Sequence, residues 1–206
     1  MQNTKKLWEE FGIKPEEIKR LSEYEVYNQE LKSVREKVVK YVESFKENRE
    51  KRENSLGLFG QSGAGKTHIA LAVARALIEK GIAVTYMPYL ETMRILKASA
   101  LDVIEYDKLI NRYSKCKVLI IDDLFKDKLK NGKLATDLTE ADMKHIYPIL
   151  NYRYINKLPM IISSECYPEQ LMTLDEALGG RILESCSDFG IEFSKNCNYR
   201  IRKFKK

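Results

Sequence analysis

At 206 residues the chain is long enough for one good-sized core plus a small helical appendage, so a single α/β domain is the starting expectation. No stretch approaches the roughly 20 apolar residues that span a bilayer, and the charged N-terminus lacks the apolar centre of a signal peptide, which argues against a membrane protein and for a cytoplasmic one. Lys and Arg number 36 against 30 Asp and Glu; Lys195, Arg200, Arg202, Lys203, Lys205 and Lys206 carry the whole excess of +6, so attraction to polyanions is concentrated at that end.

From Lys14 the run Lys-Pro-Glu-Glu suits the first turn of a short helix, with Ile18 and Leu21 beginning its apolar face. A second helix is marked by Leu31, Val34, Val38, Tyr41, Val42 and Phe45 on one stripe. Residues 46–55 are charged and lack apolar periodicity, so they read as a linker. The division expected is therefore a helical N-terminal segment with linker over residues 1–50 and a main domain with a basic tail over residues 51–206.

Residues 56–59 form a short apolar run suited to a buried strand. It leads into Gly60-Gln61-Ser62-Gly63-Ala64-Gly65-Lys66-Thr67, which meets G-x-x-x-x-G-K-[ST] at every fixed position. By chance those positions coincide in roughly one chain of this size in a hundred. The physics is that of a phosphate cradle: glycines let backbone N–H groups turn inward, and the helix opening near Lys66 aims its positive end at the same point. Lys66 is placed for the β/γ-phosphates and Thr67 for Mg²⁺. Ile69, Ala70, Val73, Ala74, Leu77 and Ile78 continue at helical spacing.

Gly81 is placed to stop that helix, residues 82–87 form the next strand and Pro88 closes it. Residues 89–113 read as one or two helices carrying Met93, Leu96, Leu101, Ile104, Leu109 and Ile110, with Arg94 and Lys97 among the polar positions. The run Lys117-Val118-Leu119-Ile120-Ile121 then ends in Asp122-Asp123. Two adjacent carboxylates after a buried strand repel unless cations or water reach them, and a bound Mg²⁺ explains the pair directly.

Residues 126–138 read as an exposed, lysine-rich loop. Thr139-Glu140-Ala141-Asp142 has capping-box spacing and opens a helix running past Tyr152 despite Pro148. Residues 159–163 supply a fourth strand followed by Ser164 and Glu165. Residues 173–176 offer another capping box, for a helix through Arg181, and residues 189–193 a last strand. The four cysteines form no C-x-x-C pair and His68 and His145 stand in no ligand pattern, so reduced thiols and no zinc site are expected. Strands alternating with helices predict a parallel sheet whose crevice lies beyond the strands' carboxyl ends, where the phosphate loop, Asp122-Asp123 and Ser163-Ser164-Glu165 converge.

Taken together, the Gly60–Thr67 loop followed by His68, Leu119-Ile120-Ile121-Asp122-Asp123-Leu124, Asn151-Tyr152-Arg153-Tyr154, residues 159–164, Gly180-Arg181-Ile182 and Asn198-Tyr199-Arg200 resemble the AAA+ ATPases of the DnaC/DnaI helicase-loader family, which includes the IstB transposition helpers. The resemblance implies an AAA+ P-loop NTPase core, a five-stranded parallel sheet flanked by helices, preceded by a short helical segment. It implies ATP or ADP with Mg²⁺ between self-associating subunits, held by the phosphate loop, His68 and Ser164. In these terms Asp122 holds Mg²⁺ with Thr67, Asp123 orients the attacking water, and Arg181 matches the arginine finger given to a neighbour's γ-phosphate. Arg153 and Arg200 are weaker candidates for nucleotide or intersubunit contacts, and Tyr27 and Asn28 fall where related ATPases approach the adenine. Arg94 and Lys97 fall in the region where loaders carry single-stranded DNA contacts.

The chain departs from the wider AAA+ pattern in three respects, although the loader family itself commonly has Asp-Asp at the first. It has Asp123 where many AAA+ proteins have Glu, Ser164-Glu165 where the sensor strand usually ends in Ser-Asn or Thr-Asn, and only residues 1–50 where many loaders carry a larger helicase-docking domain. The functional expectation is an ATP-hydrolysing replication protein that binds single-stranded DNA and helps load the replicative helicase. The alternatives are an IstB-like transposition helper, a P-loop small-molecule kinase with residues 126–133 as lid, and a nucleotide-switched adaptor with negligible hydrolysis.

Overall fold

The computed structural model describes residues 18–195 and 197–199. The strands in chain order are β1 (Leu56–Gly60), β2 (Val84–Pro88), β3 (Val118–Asp122), the two-residue β4 (Leu129–Lys130) and β5 (Lys133–Leu134), β6 (Met160–Ser164) and β7 (Phe189–Phe193). Five of them form one parallel sheet in the order β2-β3-β6-β1-β7, while β4 and β5 pair antiparallel on their own. The helices are α1 (Gln29–Glu43), α2 (Phe45–Asn48), α3 (Lys66–Glu79), α4 (Tyr89–Ala98), α5 (Val103–Lys115), α6 (Glu140–Ile155), α7 (Pro168–Leu174) and α8 (Glu176–Ser185). No helix among the described residues is long and apolar enough to cross a membrane.

The strands read as continuous apolar runs because both faces of the sheet are covered, and their two-residue period sorts the side chains between two cores. Leu56, Leu58, Val118, Ile120 and Ile161 point to one face, against α1 and α3. Phe59, Leu119, Ile121, Met160 and Ile162 point to the other, against residues of α4 to α8. Burying each such side chain stabilises the fold by roughly 1.5–3 kcal/mol. The order places β6 between β1 and β3, so the phosphate loop after β1 and the acids ending β3 flank the end of β6.

The five sheet strands occur where the sequence pattern put them; several connections differ. Residues 14–17 of the expected first helix and the tail from Arg200 onward lie outside the described residues. The described continuation is a single 3₁₀ turn, Leu21–Glu23. Residues 46–55 do not behave as a linker: α2 occupies part of them, and Asn54 and Ser55 are buried. Asn54 Nδ2 donates to the carbonyls of Arg49 and Lys157, and Ser55 Oγ accepts from the Met160 amide. Leu31, Val38 and Tyr41 of α1 share one core with the sheet, across the boundary expected at residue 50. Charge patterning missed this because the charged residues before Asn54 do face solvent, while Asn54 and Ser55 satisfy their polar groups internally.

The segment 126–138 is likewise not a plain exposed loop. It holds a 3₁₀ turn (Lys126–Lys128), the β4–β5 ribbon and a buried Lys128. The capping box at Thr139 and Asp142 forms with both reciprocal bonds. The one expected at 173–176 does not: Thr173 sits near the end of α7, and Asp175 caps α8 by accepting from the Leu178 amide at 2.7 Å.

Candidate nucleotide site

Gly65 caps α3 in the left-handed region at φ 89°, without a side-chain cap, and α3 has no acid in its first turn. Its leading N–H groups and its positive dipole end are thus left for an external anion. Gly63, at φ +75°, is also in a conformation that strains any side chain, and a Cβ there would displace Asn198 Oδ1, 2.5 Å away. The Lys66 ammonium is buried and donates to the carbonyls of Gly60 and Gln61, each at 2.7 Å. Burial lowers its pKa from 10.5 to about 8, against the opposing pull of Glu165 and Asp123.

Asp122 at the end of β3 is buried and receives three hydroxyl donors. Thr67 Oγ1 donates to Oδ1 at 2.9 Å, Ser163 Oγ donates to Oδ1 at 2.5 Å and Tyr86 OH donates to Oδ2 at 2.8 Å. One carboxylate therefore links α3, β6 and β2. Asp123 follows in the left-handed region at φ 57°, its amide donating to Ser163 Oγ at 3.0 Å. A non-glycine residue held there stores backbone strain, a feature that gathers at working sites. Burial, then the neighbouring Asp122, raises its pKa.

A cavity of about 400 Å³ opens over this loop, lined by Lys66, Thr67, Asp123, Lys126 and Glu165. Leu21, Tyr24, Tyr27, Leu31 and Tyr199 also line it. Tyr199 is held beside the loop: its amide donates to Gly63 O at 3.0 Å, its hydroxyl to Glu25 at 3.0 Å, and its ring lies 6.3 Å from that of Tyr27. His68 also lines the cavity. Asn28 does not: its side chain caps α1, accepting from the Leu31 amide at 2.8 Å.

Ser163, rather than Ser164, contacts Asp122. Ser164 Oγ donates to Leu124 O at 2.7 Å and accepts from the Cys166 amide at 3.1 Å, fully buried. Strand parity carries the signal: Asp122 shares a face with Ile120, and Ser163 with Ile161, on the side that α3 covers. Tyr86 is placed by the same alternation one strand further out. Glu165 lines the cavity and pairs with Lys126. Burial alone would raise its carboxyl, but hydrogen bonds from Lys126 and Ser62 hold it below the ordinary range.

The remaining candidates lie away from this chain's own cavity. Arg181 donates to Tyr147 OH at 2.8 Å and lies over the rings of Tyr147 and Tyr154. Arg94 is exposed and forks onto Glu91, while Lys97 pairs at 2.7 Å with the buried Asp142, which also binds Lys128. Arg153 is neither a surface residue nor a nucleotide contact. It is fully buried and donates to the carbonyls of Tyr113, Ser114, Cys116 and Pro159, placing its charge at the carboxyl end of α5.

Residues 13–202 match a family model described as IstB-like ATP binding protein. The chain is 40% identical over 162 residues to the phage-like element PBSX protein XkdC of Bacillus subtilis (strain 168), covering 78% of this chain and 58% of XkdC. It is 39% identical over 163 residues to YqaM of the same organism, covering 77% of this chain and 49% of YqaM. The chain thus spans about half the length of these relatives. The crystal structure of the DnaC helicase loader superposes with a TM-score of 0.70 at 23% identity, covering 85% of this chain and 96% of that one. At that identity the likeness concerns the fold, the α/β AAA+ P-loop fold that the sequence motifs implied.

Proposed function

The chain belongs to the IstB-like ATP-binding protein family, and on that premise we propose that it is a Mg²⁺-dependent ATPase of DNA replication that binds single-stranded DNA and helps place a replicative helicase on it. The observation that carries the ATPase reading is the contact between Thr67 and Asp122 beside the uncapped start of α3. A hydroxyl and a carboxylate are hard oxygen donors suited to Mg²⁺, which takes few protein ligands and shares phosphate oxygens. When bound, the ion neutralises charge developing on the β- and γ-phosphate oxygens.

The chain's own residues do the rest. Amides of the phosphate loop and the first turn of α3 hold the phosphates, and Lys66 leaves its two carbonyls to reach them. Thr67 and Asp122 hold the metal, with Ser163 and Tyr86 fixing the orientation of Asp122. Asp123 orients the water that attacks the γ-phosphorus, displacing ADP and leaving phosphate. Tyr24, Tyr27 and Tyr199 supply aromatic surface for the base. Arg181, held against two tyrosines and outside its own chain's cavity, serves the nucleotide of a neighbouring copy. Arg94 is the more available of the two DNA candidates, because Lys97 is tied to a buried acid.

A second reading, supported by the IstB-like membership together with the resemblance to IstB transposition helpers, is a transposition helper with the same ATPase core. The engine is tested by mixing two inactive variants, Lys66→Ala and Arg181→Ala. Recovery of hydrolysis is expected, because one hybrid interface pairs an intact pocket with an intact finger; no recovery under assembling conditions overturns the shared site. Binding assays with a purified hexameric helicase and with a purified transposase separate the two biological readings.

A further inference from the structure

We propose that Lys126 is a second phosphate-binding cation of this site, held by Glu165 until a triphosphate arrives, so that the Lys126–Glu165 ion pair distinguishes ATP from ADP. The proposal rests on the nucleotide-binding reading above and goes beyond it by assigning the discriminating pair.

Lys126 and Glu165 line the cavity together with Lys66 and Thr67 of the phosphate loop, in direct contact with each other, with side chains one-third and one-sixth exposed. Among the described residues, the charges that act most strongly on the Lys66 ammonium are one cation, Lys126, and three carboxylates, Glu165, Asp123 and Asp122. The acids therefore outnumber the cations before any nucleotide enters. A polyphosphate brought to this place meets Glu165 as a like charge unless a cation lies between them, and Lys126 is the cation already in contact with that carboxylate. An ammonium has three donors, so it can turn toward a terminal phosphate and exchange one anionic partner for another.

The surrounding chain is pinned, which makes the side chain the moving part. Upstream, the Asp123 amide is held by Ser163, and the Lys126 amide bonds to Asp123 O at 3.1 Å. Downstream, Lys128 is buried against Asp142 at 2.5 Å. Glu165 also interacts with Ser62 of the phosphate loop, so the acid that holds Lys126 touches the cradle as well.

The test is a set of equilibrium titrations of ATP and of ADP, each with Mg²⁺, into the full chain as wild type, Lys126→Ala, Glu165→Gln, the double variant and Lys126→Arg. Lys126→Ala is expected to weaken ATP roughly tenfold to a hundredfold, the range of a charge-assisted hydrogen bond, and ADP much less. Glu165→Gln removes the competing anion, so the double variant should regain much of the lost ATP affinity, and Lys126→Arg should keep the preference. Equal losses for ATP and ADP in Lys126→Ala, or single effects that simply add in the double variant, overturn the proposal. A melting curve for each variant separates misfolding from lost binding, and Lys126→Arg supplies the test where the alanine variant unfolds. Wild-type protein that takes up no ATP defeats the nucleotide reading itself. Wild-type protein that binds ATP through Lys66, but whose preference survives Lys126→Ala, defeats this proposal alone.

Discussion

Thr67 Oγ1 donates to Asp122 Oδ1 at 2.9 Å, joining the first turn of α3 to the end of β3 across 55 residues of sequence. Ser163 and Tyr86 converge on the same carboxylate, so removing it has two separable consequences. Asp122→Ala orphans three hydroxyls and is expected to lower stability by about 1–3 kcal/mol as well as abolish hydrolysis. Asp122→Asn keeps an acceptor and the shape, and should melt close to wild type while also losing Mg²⁺-dependent hydrolysis. Thermal unfolding beside phosphate-release rates checks this; full activity in the asparagine variant speaks against Asp122 as a metal ligand.

The pH response follows from Lys66, whose pKa burial lowers from 10.5 to about 8. The Lys66 ammonium, assigned above to the phosphates, is formed below that value, so this group should leave ATP affinity flat there. Above it, affinity should fall by up to about tenfold per pH unit as the free protein loses the proton. Stability of the nucleotide-free protein moves the other way. Between about 8 and 10.5 the unfolded chain binds more protons than the folded one, so this group makes folding more favourable as pH rises. Titrations and melts across the window, repeated on Lys66→Met, are expected to show both trends only in the wild type.

The five strands, the phosphate loop and the paired acids were legible because continuous apolar runs and fixed glycine spacing are local signals. What was not legible depends on partners distant in sequence. Arg153 looks like a surface cation until the end of α5 and the residue after it offer the carbonyls of Tyr113, Ser114 and Cys116, and Pro159 before β6 offers a fourth. Lys97 looks solvated until α6 brings Asp142 to it. The choice between Ser163 and Ser164 was within reach, since the alternation that puts Ile120 and Ile161 on the α3 side also puts Asp122 and Ser163 there. Family resemblance favoured Ser164 by position, whereas strand parity favours its neighbour.

Arg94 and Lys97 should separate in experiment. Arg94→Ala changes an exposed side chain, so stability should stay near wild type while single-stranded DNA affinity falls and the salt slope drops by about one contact. Lys97→Ala leaves Asp142 with one ammonium fewer, and Asp142→Ala leaves the buried Lys128 with Asp127 alone and returns the half-exposed Lys97 to solvent, a loss expected to cost about 1–3 kcal/mol. Burial opposes the Asp142 charge, but Lys128, Lys97 and Thr139 hold its pKa far below 3.8. Its contribution is thus present above the unfolded carboxylate range and is lost as pH falls through the depressed folded value. Salt-dependent DNA titrations and acid melts of the three variants check these outcomes; unchanged DNA binding in Arg94→Ala removes Arg94 from the interface.

A calorimetric titration of ATP into the purified chain, with Mg²⁺ and then with a chelator, bears most directly on the nucleotide site. The expected result is saturable binding that weakens sharply without Mg²⁺ and falls by at least about tenfold in Lys66→Ala. No heat of binding at millimolar ATP with Mg²⁺, or affinity indifferent to both the ion and Lys66, would contradict a triphosphate held by α3 and Asp122.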